Sequence, residues 1–270
     1  VSHFVRLGAV SYLNVRPLVY GLDRRPTVVS LRFDVPAVCA DLLARGEIDL
    51  GMVPSITYLD RPGDRIVPGV CIGSEGPVAS VALFSRVPVA AIRRVALDSS
   101  SRTSAALMRI LCHRRFGISP AFVPHAPDLP TMLAGADAAL LIGDPALFAD
   151  LPTGVEKIDL GAAWTDMTGL PFVWAFWSGP AGPVSTEVVR LLQSSAEDGM
   201  AHTDEIADVY CAPRADRQRL ARRYLRENLR FHFDDRAQAG LRLYYREAAA
   251  LGLAPPAGRV EFFDAVARVQ

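Results

Sequence analysis

The sequence predicts an α/β protein built as two lobes. Three observations carry this. Short apolar strands alternate with helices from the first residues onward. The alternation starts over at "RVALD" (94–98). Polar residues crowd the ends of several strands, among them Ser11 to Asn14, Pro54-Ser55, Asp98 to Arg102 and Gly143-Asp144. A βαβα rhythm implies a mainly parallel sheet covered by helices on both faces. Open α/β sheets take ligands at the carboxyl ends of their strands, so these polar ends point to one cleft shared by two lobes.

The elements follow in order. "FVRLGAV" (4–10) reads as a strand, and a short helix follows from about Val15. "TVVSLRF" is the next strand and "PAVCADLLARG" the next helix, with Pro36 suited to a first turn and Gly46 to an end. "IDLGMVP" and "PVASVALFS" complete the strands of the first half. In the second half "RVALD", "AFVPHA" and "ADAALLIGD" are strands, with "SRTSAALMRILCHRRFG" and "LPTMLAG" as helices between them. After "FVWAFWSG" the chain turns Arg-rich and helical from about Thr186. The restart and the later return to helices place residues 1–85 and 176–270 in one lobe and 86–175 in the other.

Composition excludes several classes. A chain of 270 residues, half of them apolar, can bury a substantial core. The 29 basic and 29 acidic groups balance. That argues against a broad nucleic-acid surface but leaves room for a local anion site. Lys157 is the only lysine, which reflects base composition more than function. Cys39, Cys71, Cys112 and Cys211 form no CxxC or Cys/His ligand pattern, so buried free thiols are expected and no metal. GxGxxG and GxxxxGK[ST] are absent, which leaves nucleotide binding without a motif. No apolar run reaches the ~20 residues of a membrane span. The first residues lack a basic start and a long apolar stretch, so a cytoplasmic protein is expected.

"LDSSSRTSAALMRIL" is the most informative stretch. A strand ends at Asp98, and a helix begins near Arg102 or Thr103. Helix N-termini present unpaired N–H groups and partial positive charge. Ser99, Ser100, Ser101, Thr103, Ser104 and Arg102 around such an end make a receptor for a carboxylate or phosphate. The plainer reading is an ordinary N-cap, which needs one hydroxyl. Asp144, after an apolar strand and before a proline, reads equally as a cap or as a ligand-facing carboxylate. Ser80, inside an apolar run, reads alone as a satisfied core hydroxyl. "TGLPFVWAFW" reads first as core and second as a wall for a ring-shaped ligand. The five histidines are scattered, with no Ser/His/Asp arrangement.

Together, "GAVSYLNVRPLVYGL", "DLGMVPSITYL", "GPVASVALFS", "VALDSSSRTSAALMRIL", "LIGDPAL" and "DLGAAWTDMTGLPFVWAFW" resemble the chorismate dehydratases of the futalosine route to menaquinone. The resemblance runs from about residue 6 to 178. It implies a type II periplasmic-binding-protein fold with a cleft between lobes. It also implies a lyase that converts chorismate to 3-[(1-carboxyvinyl)oxy]benzoate without metal or redox cofactor. Asn14 and Ser80 match polar positions of the family's active site and become the expected catalytic residues. Ser11, Ser55, Ser101, Arg102, Thr103, Ser104 and Asp144 are the expected substrate contacts. Asp144 is a base only if it faces the cleft; otherwise the substrate's own enolpyruvyl carboxylate takes the proton. Two other functions share the fold. One is a solute-binding protein for a small carboxylate, disfavoured by the missing export signal. The other is the sister 1,4-dihydroxy-6-naphthoate synthase, whose "SPCPNDT"-like turn departs from "SYLNVRP" here.

Overall fold

The computed structural model describes residues 4–182, 184–256 and 258–264. The chain builds strands β1 (Val5–Val10) and β2 (Val29–Asp34), helix α1 (Pro36–Ala44), and strands β3 (Leu50–Pro54), β4 (Asp64–Ile66) and β5 (Gly69–Ser74). There follow β6 (Val81–Ser85), β7 (Arg94–Asp98), α2 (Arg102–Leu111), β8 (Ala121–His125), α3 (Leu129–Gly135) and β9 (Ala138–Ile142). Next come α4 (Gly143–Leu147), β10 (Glu156–Asp159), α5 (Leu160–Thr168) and β11 (Phe172–Pro180). The last elements are α6 (Thr186–Ala201), α7 (Thr203–Tyr210), α8 (Ala215–Arg223), β12 (Arg230–Phe233) and α9 (Asp235–Ala250).

The expected α/β fold is present as two sheets. The first runs β12-β5-β11-β3-β1-β2, with β4 also on β11. The second runs β10-β6-β9-β7-β8. Both sheets are mixed, not mainly parallel. In the first, β1 is parallel to β2 and β3, while β11 is antiparallel to β3, β4 and β5. In the second, β7 is parallel to β8 and β9, and β6 is antiparallel to β9 and β10. The chain changes sheet between β5 and β6 and again between β10 and β11. Val81–Ser85, expected in the first lobe, therefore pair within the second sheet. Phe172 to Ala175, expected in the second lobe, pair within the first.

Burial explains the strands at the centre of each sheet. All five residues of β3, β6 and β9 are buried, as continuous apolar runs covered on both faces should be. Edge strand β2 is mostly exposed or half-exposed. Aromatic packing joins sheet and helices. Phe172 meets Trp164 edge-on at 5.2 Å and Tyr244 at 4.8 Å, and all three are fully buried.

Two devices position the segment after β1. Leu13–Val19 form a 3-10 turn containing Pro17, where the sequence suggests a short helix. Helix α6 lies against this turn, and at Gly199 any Cβ would overlap the Pro17 carbonyl. Ser195 on the same helix donates its hydroxyl to the Tyr20 carbonyl at 2.8 Å. The turn is thus held backbone to backbone from behind, with its other side left for the cleft.

Candidate functional site

A narrow cleft opens between the two sheets. The first lobe lines it with Tyr12 and Asn14 from the turn after β1, Pro54 at the end of β3, and Trp174 on β11. The second lobe contributes Ser80 before β6, Ser101 and Ser104 at the start of α2, and Gly143 after β9. These are strand ends and a helix start, as the shared-cleft reading requires. No charged side chain is among the lining residues.

The start of α2 supplies the electropositive end. Ser101 is the N-cap: its Oγ accepts the Ser104 N–H at 3.2 Å and donates to Ser104 Oγ at 2.9 Å. Cap and cleft wall are the same residues, so the two readings of this stretch are not exclusive. Behind it, Asp98 accepts the Ser100 N–H at 2.8 Å, the Ser100 hydroxyl at 2.6 Å and the Ile142 N–H at 3.3 Å. Burial pushes the Asp98 pKa up against these hydrogen bonds.

Ser80 sits on a constrained turn. Ala79 adopts a positive φ of 63°, which is uncommon for a residue with a side chain. The Asp159 carboxylate holds that turn, accepting the Val78 N–H at 3.0 Å and the Ala79 N–H at 2.6 Å. The same carboxylate caps α5 through the Ala162 N–H. Ser80 is 1 % exposed, and its Oγ accepts the Tyr224 hydroxyl at 2.7 Å. Beside it, against the same Tyr224 hydroxyl, the Asn14 side chain keeps its Oδ1 buried with no hydrogen-bond partner among the described residues. An orphaned buried acceptor on a cavity wall suits a ligand that can donate to it.

Trp174 completes the wall. Its Nε1 donates to Ser74 Oγ at 3.0 Å, and its ring lies 4.3 Å from Phe172. "FVWAFW" therefore serves two purposes: Phe172, Phe176 and Trp177 are core, while Trp174 faces the cavity.

Of the expected site residues, Asn14, Ser80, Ser101 and Ser104 line this cavity. The other five do not. Thr103 Oγ1 accepts the Ile56 N–H at 3.2 Å and lies 3.4 Å from Ser55 Oγ, closing a seam between lobes. Ser55 Oγ donates to the Val173 carbonyl at 2.8 Å. Arg102 turns outward and pairs with Asp41 at 2.6 Å on the surface, because side chains at helix positions N1 and N2 fan away from the helix end. The Ser11 N–H donates to Asp34 O at 3.0 Å, and its carbonyl lies 3.0 Å from the Tyr210 hydroxyl oxygen. Asp144 faces a separate, open pocket that it shares with Phe148, Tyr210 and Arg217.

Tyr12, Asp159 and Tyr224 are parts of the site that the residue-type argument passed over, and Trp174 is the wall it placed second to core. Tyr12 stands in the quoted "SYLN" turn, and its ring packs where a Cβ on Gly143 would have to go. Gly143 has φ of 62°, so both conformation and space require glycine there. Tyr224 lies far along the chain in an Arg-rich stretch that gave no signal. Among the described residues no group of three or more His, Cys, Asp or Glu side chains could hold a metal. No described helix is long and apolar enough to cross a membrane.

Two α/β lobes enclosing an uncharged, hydroxyl-lined cleft define a protein of the periplasmic-binding-protein fold. Solved structures agree: an Archaeoglobus fulgidus protein has TM-score 0.74 at 17% identity, covering 93% of this chain and 99% of its own. The periplasmic aliphatic sulphonate binding protein of Escherichia coli has TM-score 0.61 at 19% identity, covering 94% of each chain. The menaquinone biosynthesis family matches residues 5–250, and this chain belongs to it. A chorismate dehydratase of Thermus thermophilus is 32% identical over 265 residues, 92% of this chain and 95% of that relative.

Proposed function

We propose that this chain is a carbon–oxygen lyase that removes water from chorismate to give 3-[(1-carboxyvinyl)oxy]benzoate. The observation that carries the reading is the meeting of Asn14 and Ser80, from opposite lobes, on one cavity wall. Its support is the family membership and the dehydratase relative from Thermus thermophilus. The reading brings with it the futalosine route to menaquinone and a cytoplasmic location.

The chemistry suits a site without charged walls. The ring carbon bearing the enolpyruvyl ether loses its proton. That position is vinylogous to the ring carboxylate, so negative charge spreads toward it. Hydroxide leaves the neighbouring carbon, and aromatisation drives the step. The lost proton and the hydroxide make up the water released. The α2 N-terminus with Ser101 and Ser104 holds the ring carboxylate where charge accumulates. Asn14 and Ser80 hydrogen-bond the departing oxygen. Trp174 offers a flat apolar face to the ring. Asp144 is held by Leu13 N–H and Tyr210 outside the cavity, so the enolpyruvyl carboxylate takes the proton.

The test is incubation of purified protein with chorismate, followed by mass spectrometry. Loss of one water with formation of the meta-substituted benzoate supports the lyase. Chorismate that is bound and returned unchanged would make the chain a binding protein instead.

A further inference from the structure

The Tyr224 hydroxyl reaches the site from the far end of the sequence. It follows α8 in a wide helical turn, Tyr224–Asn228, and its side chain is fully buried. Its hydroxyl donates to Ser80 Oγ at 2.7 Å. The Asn14 side chain faces the same hydroxyl and, like Ser80, opposes the rise that burial imposes on its pKa. One phenol therefore bonds one cleft residue and faces the other, which comes from the opposite lobe.

A serine hydroxyl has one hydrogen to give and two lone pairs to accept with. Tyr224 occupies one lone pair. Ser80 makes no other side-chain hydrogen bond among the described residues, so its own hydrogen remains free for the cavity it lines. The turn beneath it cannot shift to compensate. Asp159 fixes it from one side, and Asn228 Nδ2 donates to the Pro77 carbonyl at 2.9 Å from the other.

We propose that Tyr224 is a positioning residue for the dehydration: by donating to Ser80 Oγ beside Asn14, it directs the Ser80 hydrogen to the departing hydroxyl oxygen. The inference rests on the proposed function. No proton leaves Tyr224 in this scheme. As the carbon–oxygen bond breaks and its electron pair moves to oxygen, the Ser80 hydrogen bond strengthens, and the Tyr224 bond strengthens with it along the chain. The effect belongs to the transition state, so it should appear in kcat more than in KM.

The experiment is steady-state dehydration of chorismate by wild type, Tyr224→Phe, Ser80→Ala and the double variant, with thermal melts of each. Tyr224→Phe is expected to lower kcat by about 10-fold while KM changes less than about 3-fold. In the Ser80→Ala background the same change should alter kcat less than about 2-fold, because the residue it acts through is gone. If the phenylalanine variant does not fold, 4-aminophenylalanine and 4-fluorophenylalanine at position 224 replace it. The amino group restores a donor and should restore most of kcat; fluorine fills the space without donating and should not. An unchanged kcat in the phenylalanine or fluoro variant, or full additivity with Ser80→Ala, overturns the role of Tyr224 alone. Wild type that leaves chorismate intact overturns the proposed function, and this inference with it.

Discussion

Asp144, from the second lobe, accepts the backbone N–H of Leu13, from the first, at 3.0 Å. The Leu13 N–H opens the 3-10 turn that carries Asn14, so a carboxylate of one lobe caps the segment presenting a cleft residue of the other. The other oxygen of Asp144 accepts the Tyr210 hydroxyl at 2.5 Å, which ties in α7 as well. Burial raises the Asp144 pKa, while Tyr210, the Leu13 N–H and Arg16 pull it down. This arrangement is a latch between lobes, and it keeps the carboxylate off the cleft that Asn14 and Ser80 line.

Asp144→Ala should therefore act through Asn14. Without its cap the turn shifts, and kcat is expected to fall by about 10- to 100-fold, the scale of a small misplacement near the chemistry. Asp144→Asn still accepts from Leu13 and should keep at least about a third of wild-type kcat, since Asp144 moves no proton. Steady-state kinetics of both variants decide the matter. An asparagine variant that binds substrate but does not turn over would make Asp144 the base.

Thr103→Val separates folding from binding. Its hydroxyl accepts the buried Ile56 N–H at 3.2 Å, and valine leaves that donor unpaired. The expected loss of stability is about 1–3 kcal/mol. Because Thr103 is absent from the cavity wall, KM for chorismate should change less than about 2-fold. Urea denaturation beside kinetics checks this. A KM raised tenfold with stability intact would restore Thr103 as a substrate contact.

These two residues mark how far the sequence could be read. Ser101 is legible as a cap because a hydroxyl before an apolar-periodic run is a local signal, and its partner Ser104 lies three residues on. Asn14 and Ser80 are legible through the motif resemblance. Thr103 and Asp144 have the right chemistry, but their partners Ile56 and Leu13 are distant in the chain, and local pattern does not choose among partners. Tyr210 and Tyr224 fail for the same reason, since they reach Asp144 and Ser80 from a stretch read only as Arg-rich and helical. Val81–Ser85 reads correctly as a strand. Its sheet is decided by pairing with β9 and β10, and a fully apolar run fits either sheet.

Acidity should affect stability through Asp98. Burial is the largest influence on its pKa and raises it. The folded protein then keeps the Asp98 proton to a higher pH than the unfolded chain does. Stability from this group is complete below the unfolded value of about 3.9 and is lost as pH rises through the raised folded value. Asp98→Asn cannot titrate and escapes that loss. The variant should start less stable, since its amide cannot accept the Ile142 N–H as well as the Ser100 groups. Its deficit should then shrink as pH rises above about 4, by at most about 1.4 kcal/mol per pH unit. Denaturant midpoints across that range measure it, and a deficit independent of pH would refute the assignment. Asp144 shifts in the same direction in both proteins and cancels from the comparison.

The last prediction concerns Asn14. Its side chain lines the cleft with an unpartnered buried oxygen, on a turn fixed by Gly199 from behind and by Asp144 at its start. That much support for one amide is expected of a group that must meet a changing charge without reorganising. In the elimination, the departing hydroxyl gives its hydrogen to this oxygen while its own oxygen takes up the charge. Asn14→Ala should then lower kcat by about 100-fold or more, with a smaller change in KM. Asn14→Asp retains the shape but brings negative charge beside the departing hydroxide, and should be at least as damaged. The reaction draws its driving force from aromatisation and spreads charge into the substrate's own carboxylate. Wild type treated with EDTA should accordingly keep full activity. Activity lost to EDTA and restored by a divalent ion would show that a metal carries the charge assigned here to hydrogen bonds. An Asn14→Ala variant with kcat unchanged and KM raised would reduce Asn14 to a binding contact, with the departing group left to Ser80.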